Sequence, residues 1–289
     1  MNVIIAGGTG FLGSALAESL RLDGHGVTIV TRHPRRRDQV AWTDSAAFNG
    51  ADAVVNLAGE SLADGRWTVS RKAAILESRI TPTQTIVSAI AASTRRPTVL
   101  LNVSAVGVYG TRSSEALTEE SSAGSDFLAS VCVAWEGAAM AAASLTRVVL
   151  LRSGMVLDRN AGALPRLARP FRFFVGGPVG SGDQYWSWIH VDDWVRVARW
   201  AIDTAAIDGP LNATAPCAVT SREFAGALGR ALHRPALVPA PAFALRMLFG
   251  EMAEATILNG QRVLPAKATS HGFEFNYPNL ESALRQLYR

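Results

Sequence analysis

Asn2-Val3-Ile4-Ile5-Ala6 runs directly into Gly7-Gly8-Thr9-Gly10-Phe11-Leu12-Gly13, and Ser14 to Leu22 follow as a helix-like stretch. Strand, glycine turn and helix in that order are the setting in which a Gly-x-x-Gly-x-x-Gly spacing implies dinucleotide binding. Gly7 allows a tight turn, Gly10 lets the backbone approach a pyrophosphate, and Gly13 lets the helix pack closely on the strand. The phosphates would meet the free N–H groups and positive dipole of the helix N-terminus. Thr9, Phe11 and Leu12 complete the candidate phosphate loop.

Outward from this stretch, strand-like and helix-like segments alternate. Val27-Thr28-Ile29-Val30, Asp52 to Gly59, Thr98 to Ser104 and Thr146 to Arg152 read as further strands. Arg71 to Ala92 reads as a long helix that Pro82 should break or kink, and Phe127 to Ser144 as an alanine-rich helix. The pattern predicts an α/β, Rossmann-type doubly wound parallel sheet with helices on both faces. After Asp158 the rhythm changes. Ala161 to Gly182 reads as a loop-rich excursion covering a site, and Trp194 to Ala205 as a helix. Thr220-Ser221-Arg222-Glu223 has capping-box spacing. The last 50 residues read as short helices with an aromatic turn, Phe273 to Tyr277. The expected organisation is a nucleotide-binding domain over 1–160, to which 183–215 return. Residues 161–182 and 216–289 form a small, mainly helical substrate-side region.

Composition narrows the classes. The chain has 289 residues, 48% hydrophobic and 18% charged, enough for a large core. The net charge is +4, but the cations are scattered apart from Arg32 and Arg35 to Arg37, so no nucleic-acid partner is expected. No apolar run reaches about 18 residues, which argues against a spanning helix and a membrane partner. No signal peptide is expected before the first strand, and a cytoplasmic location is expected. Five histidines form no spaced cluster, so no metal site is expected, and Cys132 and Cys217 read as buried free thiols.

The second strand chooses the dinucleotide. In the NAD pattern a carboxylate about 20 residues beyond the glycines takes the ribose 2′-OH. Here Thr31-Arg32 stands in its place. A guanidinium fork and a neighbouring hydroxyl suit a 2′-phosphate, so NADP is expected over NAD. Leu57, Ala58 and Gly59, at the end of the next long strand, would pass beside the adenosine ribose and pyrophosphate.

These residues resemble the extended short-chain dehydrogenase/reductase superfamily. The resemblance runs through Gly7 to Gly13, Asn56 to Gly59, Ser104 with Val108-Tyr109-Gly110, and Ile189 to Asp193. It is closer to an atypical subgroup, the "epimerase family proteins", some labelled cell-division-inhibitor-like. Shared with that subgroup are Glu60, Trp67, Ser78-Arg79-Ile80, Val131-Cys132, Trp135-Glu136, Arg152-Ser153-Gly154 and Gly176-Gly177-Pro178. Asn259 to Pro265 with Gly272-Phe273 resembles its C-terminal domain of unknown function. The resemblance implies cofactor contacts at Arg79 and Met155 and a substrate-side position for His190.

Ordinary superfamily members use a tyrosine and a lysine four residues later. Here the tyrosine position holds Phe127 or Leu128 and the lysine position Val131 or Cys132. Neither lysine of the chain, Lys72 or Lys267, is near in sequence. Ser104, Tyr109 and His190 remain as candidate catalytic groups. Ser104 would hold a substrate oxygen, with Tyr109 or His190 supplying a proton, while Glu136 is expected in solvent. Two readings follow. One is an NADP-dependent oxidoreductase or nucleotide-sugar-type epimerase on a small hydroxyl or carbonyl substrate. The other is a non-catalytic NADP-sensing protein, conceivably linked to cell division. A homodimer is conceivable, as in many superfamily members.

Overall fold

The computed structural model describes residues 1–63 and 65–289. Seven strands form one parallel sheet: β1 (Asn2–Ala6), β2 (Gly26–Thr31), β3 (Gln39–Ala41), β4 (Ala53–Asn56), β5 (Val99–Ala105), β6 (Arg147–Ser153) and β7 (Gly209–Ala213). Their spatial order is β7-β6-β5-β4-β1-β2-β3. The chain therefore winds one way from β1 to β3 and the other way from β4 to β7. The crevice between β1 and β4 is the switch point where doubly wound sheets bind ligands.

The period-2 alternation of the strands decides which helices cover which face. Val3, Ile5, Ile29, Val55, Leu101 and Val149 point to one face, where α1 (Phe11–Leu22) and α5 (Val191–Asp203) pack through Leu16, Leu20, Trp194 and Val197. Ile4, Ala6, Val30, Val54, Leu100 and Leu150 point to the other face. There α2 (Val69–Ala92) and α3 (Phe127–Met140) pack through Ile86, Ile90 and Ala139. Each fully buried Ile or Leu side chain contributes about 1.5–3 kcal/mol over exposure. Neighbouring strands sit in matched register, with Ile5 opposite both Ile29 and Val55.

A second core lies beyond the strand ends. α4 (Leu164–Arg172), α6 (Ser221–Leu232) and α8 (Leu280–Leu287) pack around Trp186, Trp188 and Phe224. α6 opens with the capping box expected from Thr220 and Glu223, both bonds being formed. α7 (Ala242–Phe249) buries none of its residues.

Several local expectations are corrected. α2 runs unbroken through Pro82, with Ile75 and Ile86 buried on either side and the Thr83 hydroxyl bonded back to the Arg79 carbonyl at 2.6 Å. Packing of the second half on the sheet, and of Ile75 against Trp67, Val131 and Met252, outweighs the one backbone bond that proline removes. The excursion 161–182 contains α4, whose Pro165 sits in the first turn, where a fixed φ and a missing N–H cost nothing. α3 ends at Met140, and α5 starts three residues earlier than expected because His190 caps it. Cys132 is buried but Cys217 is exposed. The turn expected over Phe273 to Tyr277 is reduced to a bend at Asn276, and Phe273 and Phe275 pack edge to face at 4.9 Å.

Candidate functional site

The glycine loop sits at the switch point. Gly7 has φ +77°, and a Cβ there would come within 2.8 Å of the Leu57 backbone. A Cβ at Gly13 would lie 2.5 Å from the Gly7 carbonyl oxygen. Both glycines are therefore demanded by close backbone packing. Gly10 differs, since a Cβ there would meet only the Gly7 oxygen at 3.4 Å. Its outer side is open, as a loop that admits a pyrophosphate requires. The first turn of α1 has neither an acidic residue nor a capping side chain, which leaves its N–H groups for an anion. These features fit a dinucleotide: Gly7 to Gly13 would hold the phosphates, and the Leu57-Ala58-Gly59 backbone lies beside them.

At the end of β2, Thr31 is half-buried and Arg32 exposed. Arg32 makes no ion pair with a described residue, whereas Arg21 and Arg36 are both tied to Asp38. Arg79 reaches from α2 to the end of β4. Its guanidinium donates to the Ile75 and Glu60 carbonyls at 2.9 and 3.1 Å, lies 5.2 Å from the Trp135 ring, and closes on Gly59. Burial pushes its pKa down from the ordinary arginine value.

A row of polar side chains crosses the C-terminal ends of the strands on the α2/α3 face. Register sets Asn56 beside Asn102, and Ser104 beside Arg152 beside Asn212. Asn56 Nδ2 donates to Asn102 Oδ1 at 2.7 Å and to Thr83 Oγ1 at 2.8 Å, while Trp135 Nε1 donates to Thr83 Oγ1 at 3.0 Å. In the other half, Ser104 Oγ donates to Glu136 Oε1 at 2.7 Å. Arg152 grips the same carboxylate with two donors at 2.9 and 2.8 Å. Arg152 also donates to the Tyr109 hydroxyl at 3.0 Å, which donates to Asn212 Oδ1 at 2.7 Å. Glu119 accepts from the backbone of Asn212 and Lys267 at 3.0 and 3.2 Å. Every member is buried, and mutual hydrogen bonding offsets the desolvation of this chain of groups.

This network changes the standing of the expected catalytic groups. Glu136, expected in solvent, is buried because Arg152 draws its carboxylate inward. Tyr109, a candidate proton donor, is fully buried, and burial raises its pKa. His190 is 1% exposed. Its Nδ1 accepts from the Asp192 backbone at 3.1 Å, its Nε2 meets Gln286 Oε1 at 2.9 Å, and its ring stacks 4.0 Å from that of Tyr277. Both side chains, like that of Ser104, are held in the interior by their hydrogen bonds. Asp193 does not cap α5; its oxygens accept from the Asn276 and Tyr277 backbones at 2.9 and 2.8 Å. Met155 lies on a short strand paired with Trp188.

Cys132, one of the two candidates for the lysine position, keeps its proton, because burial and then the Glu136 charge push its thiol up to about 11. Lys72, remote in sequence, is brought within 4.9 Å of the Phe127 ring centroid and pairs with Glu251 at 2.6 Å. Phe127 in turn packs edge to face on Trp67 at 5.3 Å. Among the described residues, no group of three metal-binding side chains is gathered, and no helix is long and apolar enough to cross a membrane.

The sequence matches the NAD dependent epimerase/dehydratase family over residues 3–212 and a domain of unknown function, DUF1731, over residues 240–287. It is 38% identical to the bovine epimerase family protein SDR39U1, with 99% of both chains covered. It is 40% identical to the epimerase family protein YfhF of Bacillus subtilis, over 99% of this chain and 98% of that one. The structure superposes on a crystal structure of human SDR39U1 (isoform 2) with NADPH at a TM-score of 0.95 and 35% identity, covering 100% and 99% of the two chains. A UDP-glucuronic acid 4-epimerase of Bacillus cereus shares the fold at a TM-score of 0.80 and 16% identity.

Proposed function

Because this chain belongs to the NAD-dependent epimerase/dehydratase family, we propose that it binds NADP(H) and acts as an oxidoreductase or epimerase on a small hydroxyl or carbonyl substrate. Arg32 at the end of β2, unpaired among the described residues and standing where NAD enzymes place a carboxylate, carries the choice of the phosphorylated cofactor. The human relative with NADPH supports it. When bound, the nicotinamide supplies hydride chemistry.

Proton handling falls to Ser104 and Glu136. The single Ser104 proton is donated to a carboxylate, so towards a substrate this hydroxyl offers lone pairs. It accepts a hydrogen bond from a substrate alcohol. As that carbon loses its hydride, the alcohol proton passes to Ser104 Oγ and the Ser104 proton to Glu136. Lacking the tyrosine–lysine pair, the site forgoes an acid–base contribution of about 10²- to 10⁴-fold, so turnover is slow.

A second reading, nucleotide sensing without turnover, is favoured by one observation: Ser104, Tyr109 and His190 are all no more than 2% exposed. NADPH oxidation followed across a panel of carbonyl compounds separates the two. Ser104→Ala abolishes turnover while leaving NADPH affinity intact if the first reading holds. Absence of turnover throughout, with Ser104→Ala altering only stability, refutes it. Arg32→Ala tests the cofactor separately. By calorimetry NADPH affinity falls about tenfold or more, the value of a charge-assisted contact, while NADH affinity is unchanged; equal losses for both refute the 2′-phosphate assignment.

A further inference from the structure

Among the described residues, nine of the fifteen large apolar side chains left exposed fall in two stretches, Phe173–Val175 and 237–249. Phe173, Phe174 and Val175 follow α4, and Leu237 with Val238 follows α6. The two tips form one protrusion. The Val238 N–H donates to the Gly176 carbonyl at 3.0 Å, and the Arg234 guanidinium lies 4.7 Å over the Phe174 ring. Phe174 holds φ +61°, a conformation costly to a side chain of this kind. Leu237 is 82% exposed and Phe173 68%.

The charges nearest these tips in sequence are of one sign. α4 buries Leu164, Ala168 and Phe171 and exposes Arg166, Arg169 and Arg172. With Arg234 these make four exposed guanidiniums, none of them paired with a described carboxylate. The sequence has no carboxylate between Asp158 and Asp183, nor between Glu223 and Glu251. Asp158 is turned onto its own loop, accepting from the Asn160 and Ala161 backbones.

We propose that this protrusion docks onto a bilayer surface carrying anionic phospholipid. Apolar tips beside arginines suit the boundary between headgroups and acyl chains, with cations at the level of the phosphates. A second copy is a poor occupant, because a two-fold contact sets the same unpaired arginines against each other. The absence of a spanning helix, which led the sequence to be read without a membrane partner, does not bear on surface docking. The proposal is independent of the nucleotide site.

Flotation of the full chain with phosphatidylcholine vesicles, pure or containing about one-third phosphatidylglycerol, tests it. Binding is expected only to the mixed vesicles. Joint replacement Arg166→Gln, Arg169→Gln and Arg172→Gln weakens it about a hundredfold, at about 1 kcal/mol per arginine. Joint replacement Phe173→Ser, Phe174→Ser and Leu237→Ser weakens it at least about tenfold. Both variants keep the thermal midpoint, since the altered side chains are exposed. Failure of the wild-type chain to bind, equal binding to neutral vesicles, or indifference to both variants overturns the proposal. So does dimerisation through the tips, or capture of polyglutamate in preference to anionic vesicles.

Discussion

Glu136→Ala removes the acceptor of three hydrogen bonds, one from Ser104 and two from Arg152. Arg152 and Glu136 are each only 10% exposed at the side chain, so water replaces little of what is lost. Arg152 keeps only the Tyr109 hydroxyl at 3.0 Å and a long contact to the Glu119 carbonyl, neither of them a counter-charge. Breaking a buried pair by deleting one partner costs about 3–5 kcal/mol, most of it the penalty for the stranded charge. At about 2–4 °C per kcal/mol for a chain somewhat smaller than this one, the melting midpoint falls by roughly 6–20 °C. Differential scanning fluorimetry without nucleotide measures it. The double replacement Glu136→Met with Arg152→Met strands no charge and recovers at least half the loss. If Glu136→Ala moves the midpoint no more than a surface substitution, or if the double variant is worse than the single, the ion pair does not hold this region together.

Two glycines of the loop should behave in opposite ways. Gly13→Ala drives a Cβ to 2.5 Å from backbone oxygen and lowers both stability, by about 1–3 kcal/mol, and nucleotide affinity. Gly10→Ala, facing open space, leaves melting within about 1 kcal/mol and loses affinity alone; comparable melting losses would refute the assignment of its open side to phosphate. The cysteines should also divide. Iodoacetamide labels exposed Cys217 in the folded chain and spares Cys132, as peptide mass mapping will show. The Cys132 thiol is raised from 9.0 to about 11, so the folded state holds that proton more tightly than the unfolded one. Its stabilising contribution is full below pH 9 and is lost as pH rises through 11, an amount of at most about 3 kcal/mol. Cys132→Ala should therefore lose less stability than wild type across that window in urea titrations; parallel curves would refute the shift.

The glycine loop and the strand alternation were legible because each depends on a local rule: backbone sterics and period 2. The polar row was not read as a unit, though its signal was present. Asn56, Asn102, Ser104, Arg152 and Asn212 each interrupt an apolar strand near its C-terminal end on the same face parity. Which of them meet depends on register between strands distant in sequence, and no local pattern encodes that. Glu136 was misplaced for the same reason, since only the neighbouring strand explains an inward carboxylate. Lys72 shows the converse: sequence distance removed it from consideration, and the crossover connecting β4 to β5 carried it back to Phe127. Pro82 failed as a breaker because intrinsic propensity yields to a helix buried along one side.

The grip of Asp193 on the backbone of Asn276 and Tyr277 sets an order for folding. Its carboxylate lies at zero exposure in the helix that covers the centre of the sheet, with Arg196 as the local cation. Two of its acceptor positions are filled only by residues more than 80 positions later in the chain. During synthesis the nucleotide half therefore exists for a time with a charge on α5 that must stay hydrated, and the sheet cannot close fully over it. The matched segments 3–212 and 240–287 are thus tied together at Asp193. A chain cut between them leaves Asp193 with Arg196 but without the two backbone donors of Asn276 and Tyr277.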